Sequence, residues 1–245
     1  MKRYGLIGKK LGHSFSKRYF NDKFRKEQLP AVYENLEFDD IFRLEKFLRE
    51  EGKRWNGFNV TIPYKILIIP LLDDLTPVAR STAAVNTVII RDGKLTGDNT
   101  DVYGFSESMK DVDLKQYGKA LILGTGGAAR AVFHALREKG IDSLYVSRRS
   151  GGKERISYGQ IDRGLLAQYR LIVNATPLGM HPGTNACPPL PYEALGREHF
   201  LVDLIYNPGK TLFLQKGESQ GAGIRNGLEM LYRQAEASWR AWNRT

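Results

Sequence analysis

The stretch from Lys119 to Gly140 restricts the fold more than any other part of the chain. Lys119-Ala-Leu-Ile-Leu123 is a short apolar run that gives way to Gly124-Thr-Gly126-Gly127-Ala-Ala129-Arg130, after which Val132, Ala135 and Leu136 recur at helical spacing. Gly140 stops that pattern and Leu144-Tyr-Val146 begins a second apolar run. The order is strand, glycine turn, helix, strand. The glycines fall at G-x-G-x-x-[G/A] positions: Gly124 allows a tight turn, Gly126 lets the backbone approach a pyrophosphate, and Ala129 keeps the helix close to the sheet. Gly127 and Ala128 open the helix, where backbone N–H groups without intrahelical partners point at an anion. The stretch predicts a dinucleotide-binding unit of Rossmann type.

A chain of 245 residues can bury a substantial core, as one large domain or two smaller ones. Its 42% hydrophobic and 26% charged residues are those of a soluble globular protein. The longest apolar run, Ile66 to Leu72, contains Pro70 and is too short to span a membrane. Met1-Lys-Arg-Tyr-Gly lacks the apolar core of a signal peptide, and the single cysteine, Cys187, fits a reducing compartment, so a cytoplasmic location is expected. His13, His134, His181 and His199 are too scattered to suggest a metal site. The net charge of +10 raises a nucleic-acid reading, but Lys and Arg are dispersed among acids and no nucleic-acid motif stands out. No nucleic acid or membrane partner is expected. A basic field also suits small anionic ligands.

In chain order, Arg3 to Ile7 reads as a strand, followed by a helix from Ser16 as cap to about Gln28. Ala31 to Leu36 is a second strand, Asp40 to Glu51 a helix with Ile41, Leu44, Phe47 and Leu48 on one face, and Gly57 to Thr61 a third strand. Pro63 opens a helix carrying Lys65, and Thr76-Pro77 opens another. Asp92-Gly93 between Val88-Ile-Ile90 and Lys94-Leu95 is a hairpin signal, so the alternation is not purely βαβ. Asn99-Thr-Asp101 precedes a helix from about Val102. Arg170 to Val173 and Phe200 to Ile205 are strands, the first running into Asn174-Ala-Thr-Pro-Leu-Gly179. Asn226 to Trp242 is a final helix with Leu228, Leu231, Ala235 and Trp239 on its expected buried face.

Ser147-Arg148-Arg149 follows the second strand of the glycine unit, where a dinucleotide enzyme selects its ribose. Arg148 lies nineteen residues after Ala129, the place where an Asp or Glu holds the 2′-hydroxyl of NAD. Two arginines suit a 2′-phosphate instead, because a guanidinium fork matches phosphate geometry. NADP(H) is therefore the expected cofactor.

Gly12-His-Ser-Phe-Ser16, Asn59-Val-Thr-Ile-Pro-Tyr-Lys65, Ala84-Val-Asn-Thr87 and Gly97-Asp-Asn-Thr-Asp101, followed in order by Gly124 to Ala131, Asn174 to Met180, Asp203 to Pro208 and Met230 to Ala235, resemble shikimate dehydrogenases. The resemblance covers nearly the whole chain. It implies NADPH-dependent reduction of 3-dehydroshikimate to shikimate, in chorismate and aromatic amino acid biosynthesis. The implied architecture is two α/β domains: a substrate domain of residues 1–101 with 226–245, and a doubly wound, Rossmann-like cofactor domain of residues 102–225, the C-terminal helix returning to the first. By matching position the resemblance assigns the substrate carboxylate to Ser14 and Ser16 with Tyr206 nearby, further substrate contacts to Thr61, Asn86 and Gln234, and the catalytic pair to Lys65 and Asp101. The implied cofactor contacts are Gly124, Gly126, Gly127, Ala128, Ala129, Ser147, Arg148, Arg149 and Thr176, with Met230 against the nicotinamide. Lys10 and Lys17 stand where the family's first loop has proline, and Ser147 replaces an asparagine.

The residue types suit these roles. Serine hydroxyls can bind a carboxylate without a full charge, and Ser16 alone also reads as a helix cap. Ketone reduction needs a hydride donor and an acid that protonates the developing alkoxide, which a Lys65 ammonium can be. Asp101 beside it would orient the lysine and offset its desolvation; by itself it reads as a cap. Asn86 and Gln234 can each donate and accept toward a polyhydroxylated ring, and otherwise read as a turn residue and an exposed helix position. Met230 reads equally as helix core, and His13 as a structural hydrogen-bonding residue. Rival readings are a quinate/shikimate dehydrogenase using NAD, a catalytically silent NADP-binding sensor that keeps the pocket without the chemistry, and a basic nucleic-acid module. The chain is expected to act as a monomer or homodimer.

Overall fold

Tyr4 to Ile7 is buried throughout, as a central parallel strand requires, and seeds the first of two sheets. The protein is described here by a computed structural model covering residues 1–12 and 14–244; His13 lies outside the described residues. The chain divides into two units, one of Met1–Thr100 with the segment from Ala235 onward, the other of Asp101–Gln234. The division falls inside the final helix, at Gln234, where the sequence alone places it at Asn226.

In the first unit the elements are β1 (Lys2–Gly8), α1 (Phe15–Lys26), β2 (Ala31–Glu37), α2 (Ile41–Glu50), β3 (Gly57–Val60), α3 (Tyr64–Leu67), β4 (Asp74–Leu75), α4 (Pro77–Thr82), β5 (Thr87–Arg91) and β6 (Lys94–Asp98). The sheet order is β2-β1-β3-β5-β6-β4. β1 is parallel to β2 and β3, while β5 runs antiparallel to β3 and β6. The hairpin expected at Asp92-Gly93 joins β5 to β6, with φ of 49° and 72° at those residues, the left-handed pair that a two-residue turn of matching twist needs. β4 is a two-residue edge too short to leave a periodic signal. Ser14, rather than Ser16, caps α1, its Oγ accepting from the Lys17 amide at 3.2 Å, so the helix begins two residues early and holds Ser16 in its first turn.

The second unit contains α5 (Thr100–Ser108) beyond its first residue, then β7 (Ala120–Leu123), α6 (Gly127–Glu138), β8 (Ser143–Ser147), β9 (Arg155–Ser157), α7 (Arg163–Gln168), β10 (Leu171–Asn174), β11 (Phe200–Asp203), α8 (Leu212–Ser219), β12 (Gly223–Arg225) and the first half of α9 (Leu228–Asn243). Its sheet is parallel throughout, in the order β12-β11-β10-β7-β8-β9. This is the doubly wound order in which the chain starts at the centre, winds outward through β8 and β9, and returns to β10 on the other side. β7, β10 and β11 are buried along their whole lengths and read as continuous apolar runs for that reason. α5 starts at Thr100 rather than Val102, which puts Asp101 inside the first turn and not at a cap.

α9 buries Met230, Gln234, Ala235, Ser238 and Trp242, whereas Leu228 is 40% exposed, so its buried stripe is rotated from the one expected. Its C-terminal half is held in the first unit by aromatic packing. Trp242 stacks on Tyr4 with ring centroids 4.8 Å apart and lies beside Phe20, and its Nε1 donates to the Val88 carbonyl at 3.1 Å. An indole buried with its N–H satisfied is among the largest single contributions a side chain makes to a core.

Candidate active site

Both sheets have a switch point, where successive connections leave a strand to opposite sides, and the carboxyl end of such a pair opens a crevice. In the first sheet it lies between β1 and β3, since β2 and β3 flank β1. Ser14 and Ser16 follow β1, and Thr61 and Lys65 follow β3. Because β5 is antiparallel to β3, its amino end brings Asn86 to the same edge, where the Val60 amide donates to the Asn86 carbonyl at 2.8 Å. β6 is antiparallel to β5 and so ends at that edge too, delivering Thr100, the residue before Asp101. The sheet thus gathers Ser14, Ser16, Thr61, Lys65 and Asn86 along one edge.

Local bonds fix these positions. The Thr61 amide donates to Ile7 O at 2.9 Å and the Val85 amide to Lys65 O at 2.7 Å, tying the ends of β1, β3 and β5 together. Ser14, Ser16, Thr61 and Lys65 are half-buried, while Asn86 is 2% exposed and is therefore no surface turn residue. Asn86 Oδ1 accepts from the Thr100 amide at 2.7 Å and from Thr87 Oγ1 at 3.1 Å, while its Nδ2 donates to Thr100 Oγ1 at 3.0 Å. Oδ1 thus accepts and Nδ2 donates, which fixes the orientation of the Asn86 amide. Ser16 hydrogen-bonds Tyr33, whose pKa is raised well above the ordinary tyrosine value by full burial.

The second sheet has its switch point between β7 and β10. Gly124 ends β7 with φ +109°, a conformation that strains any residue with a Cβ, and a Cβ there would also meet Ala175 O at 3.2 Å. Gly126 is the N-cap of α6 without a side-chain cap, and a Cβ on it would touch nothing within 4 Å. The turn thus presents uncapped helix amides across open space, the donor arrangement that phosphates fit. Ala129 is fully buried, as close helix–sheet packing needs, and Ala128 is half-buried. Arg148 and Arg149 are exposed past the end of β8. The Ser147 hydroxyl is engaged by the backbone of Arg149, accepting from its amide at 3.3 Å, so Ser147 shapes the turn that carries the arginines. These residues fit a dinucleotide with a phosphorylated ribose.

The Thr176 loop is held from below. Asn174 Oδ1 accepts from Thr176 N at 3.0 Å and Thr176 Oγ1 at 2.7 Å, and Asn174 Nδ2 donates to Asp203 Oδ1 at 3.1 Å. Asp203, fully buried, also accepts from Thr211 Oγ1 at 2.5 Å and the Ile205 amide at 3.0 Å, yet burial outweighs these bonds and pushes its carboxyl up to about 6. Its supporting role is one that sequence reading misses, although a carboxylate closing the apolar run Phe200-Leu-Val is the visible sign. Met230 and Gln234 are both buried on α9, at 8% and 9% exposure, and Gln234 Nε2 donates to Leu231 O at 2.9 Å. Gln234 is thus no exposed helix position. Asp101 is 5% exposed and Tyr206 half-buried.

Residues 6–88 match the shikimate dehydrogenase substrate binding domain. Over its whole length the chain is similar to a shikimate dehydrogenase (NADP(+)) of Carboxydothermus hydrogenoformans, 36% identical over 98% of this chain and 91% of that protein. It is 38% identical to another such enzyme from Oleidesulfovibrio alaskensis, over 98% and 88% of the two chains. Among solved structures, shikimate 5-dehydrogenase of Thermus thermophilus, in complex with NADP(H) and shikimate, superposes with a TM-score of 0.88 at 33% identity, covering 99% of this chain and 94% of that one.

Proposed function

The chain belongs to the shikimate dehydrogenase family, and from that membership we propose that it catalyses the reversible NADPH-dependent reduction of 3-dehydroshikimate to shikimate. The observation that carries the reading is the carboxyl edge of the first sheet, which gathers two serines, a threonine, a lysine and a buried asparagine amide around one crevice. A small polyhydroxylated carboxylate calls for that mixture of donors.

When bound, NADPH supplies the hydride that reaches the ketone carbon. Lys65 protonates the ketone oxygen as negative charge develops there, and in the reverse direction its neutral amine takes that proton. Asp101 orients the ammonium and offsets part of its desolvation. Ser14 and Ser16 hold the carboxylate with Tyr206, while Thr61, Asn86 and Gln234 position the ring hydroxyls. With NADPH bound, the α6 amides would hold the pyrophosphate, Arg148 and Arg149 the 2′-phosphate, Thr176 would support the cofactor and Met230 would lie against the nicotinamide. The free thiol of Cys187 fits work in the cytoplasm, by a monomer or homodimer.

Incubation with 3-dehydroshikimate and NADPH tests the proposal. Reduced nicotinamide should disappear as shikimate accumulates in equal amount, the product being identified by chromatography against a standard. Absence of shikimate among the products would overturn the assignment.

A further inference from the structure

Asn86 belongs to a network of buried hydrogen bonds whose centre is a residue of the C-terminal helix. Ser238 is fully buried on α9, and its Oγ lies 2.8 Å from Asn59 Nδ2, 2.8 Å from Thr87 Oγ1 and 3.0 Å from Thr100 Oγ1. Asn59, Thr87 and Thr100 are themselves at most 5% exposed. Water is kept away from this cluster, so its members must satisfy one another.

Two fixed groups orient the two side-chain amides in it. The Thr100 amide can only donate, so the Asn86 atom facing it at 2.7 Å is Oδ1, and Asn86 Nδ2 faces Thr100 Oγ1. The Asn86 carbonyl can only accept, so the Asn59 atom facing it at 3.3 Å is Nδ2, which also donates to Ser238. One set of bonds that satisfies both amides runs from Asn86 Nδ2 to Thr100, Thr100 to Ser238, Ser238 to Thr87, and Thr87 to Asn86 Oδ1, with Thr100 Oγ1 also 3.2 Å from Thr87 Oγ1 and from Asn86 Oδ1. In that set Ser238 accepts from Asn59 and Thr100.

We infer that Ser238 is a positioning residue for substrate recognition, bracing Thr87 and Thr100, the two side chains that hold the Asn86 amide, and seating the first turn of α5, where Asp101 follows Thr100. Thr87 Oγ1 and Thr100 Oγ1 also meet directly at 3.2 Å, and Ser238 braces that pair from α9. Removing the Ser238 hydroxyl takes one partner each from Asn59, Thr87 and Thr100, and so loosens the two side chains, Thr87 and Thr100, that hold the Asn86 amide in place. Ser238 lies one helical turn beyond Gln234 on α9, so the same network also anchors the helix carrying that proposed substrate contact. The inference rests on the substrate reading for the assignment of Asn86 and stands on geometry alone for the network.

The test compares Ser238→Ala, Thr87→Val and Thr87→Ser with wild type, the Thr87 pair deciding the matter if Ser238→Ala fails to fold. Shikimate affinity, measured by calorimetry, should fall about tenfold in Ser238→Ala and Thr87→Val while NADP+ affinity stays unchanged, and Thr87→Ser should stay within about twofold of wild type. Independently of any ligand, the Thr100 amide, which donates to Asn86 Oδ1, should exchange with solvent about tenfold faster in the first two variants and at the wild-type rate in the third. A lowered melting temperature with unchanged shikimate affinity and unchanged Thr100 exchange would overturn the inference, as would equal losses in Thr87→Ser and Thr87→Val. Wild-type protein that binds no shikimate would instead remove the functional reading, and the Thr100 exchange rates would still decide the network.

Discussion

Replacing Asp203 by asparagine should flatten the pH dependence of folding stability. Asp203 is fully buried, and its pKa is raised from 3.8 to about 6, first by desolvation, with bonds from Thr211, the Ile205 amide and Asn174 pulling the other way. The folded protein therefore holds this proton more tightly than the unfolded chain does. The contribution of the group to stability is complete below about pH 4 and is lost as pH rises through about 6. The gap between 3.8 and about 6 corresponds to about 3 kcal/mol. Asparagine keeps the shape and can satisfy the same neighbours: its Oδ1 accepts from Ile205 N and Asn174 Nδ2, and its Nδ2 donates to Thr211 Oγ1, which now accepts. Urea denaturation of both proteins between about pH 4 and about pH 7 should show wild type losing up to about 3 kcal/mol relative to Asp203→Asn. All other titrating groups are common to the two proteins, so the difference isolates this carboxyl. Parallel profiles would refute the reasoning, as would wild type gaining on the variant with rising pH.

Other consequences can be measured separately. Arg148→Ser should weaken NADPH binding about tenfold to a hundredfold and leave NADH little changed, because a charge-assisted hydrogen bond to a phosphate contributes about 1.5–3 kcal/mol; equal losses in a fluorescence titration of each cofactor would count against the assignment. A Cβ on Gly104 would lie 2.8 Å from Gln234 Cβ and 2.9 Å from Met230 O, so Gly104→Ala should cost about 1–3 kcal/mol in a denaturation curve by forcing α5 and α9 apart. Asp101→Asn should slow turnover, and combined with Lys65→Met should be little worse than Lys65→Met alone if the two act as a unit; additive losses in steady-state rates would show independent roles.

The parts of the fold that are legible in the sequence are those specified locally. Asp92-Gly93 announces its hairpin because two successive left-handed residues suit a two-residue turn of that twist, and Gly124 to Ala129 announces the second sheet's switch point because the turn tolerates no other shape. Misreadings arise where distant residues decide. Ser14 and Ser16 carry the same capping chemistry, and only the start of α1 at Phe15 separates the cap from a first-turn residue. Ser238 carries no local signal, because its partners come from residues 59, 87 and 100, which the sheet brings together. Leu228 reads as core and is exposed, because α9 turns Met230 and Gln234 inward against Gly104. The site residues are legible through motif resemblance more than through chemistry, since a lone lysine or asparagine carries little signal until a sheet edge gathers it. The supports beneath them, Asp203 under Asn174 and Ser238 under Asn86, are legible only in the fold.

The rate of NADPH-dependent reduction of 3-dehydroshikimate by wild-type protein and by Lys65→Met, with NADPH binding measured on both, tests the account most directly. A positioned general acid contributes about 10²–10⁴ in rate, so turnover of the variant should fall by that order while its affinity for NADPH is retained. Near-normal turnover in Lys65→Met would contradict the mechanism, and failure of the wild-type protein to consume NADPH with 3-dehydroshikimate would contradict the function itself.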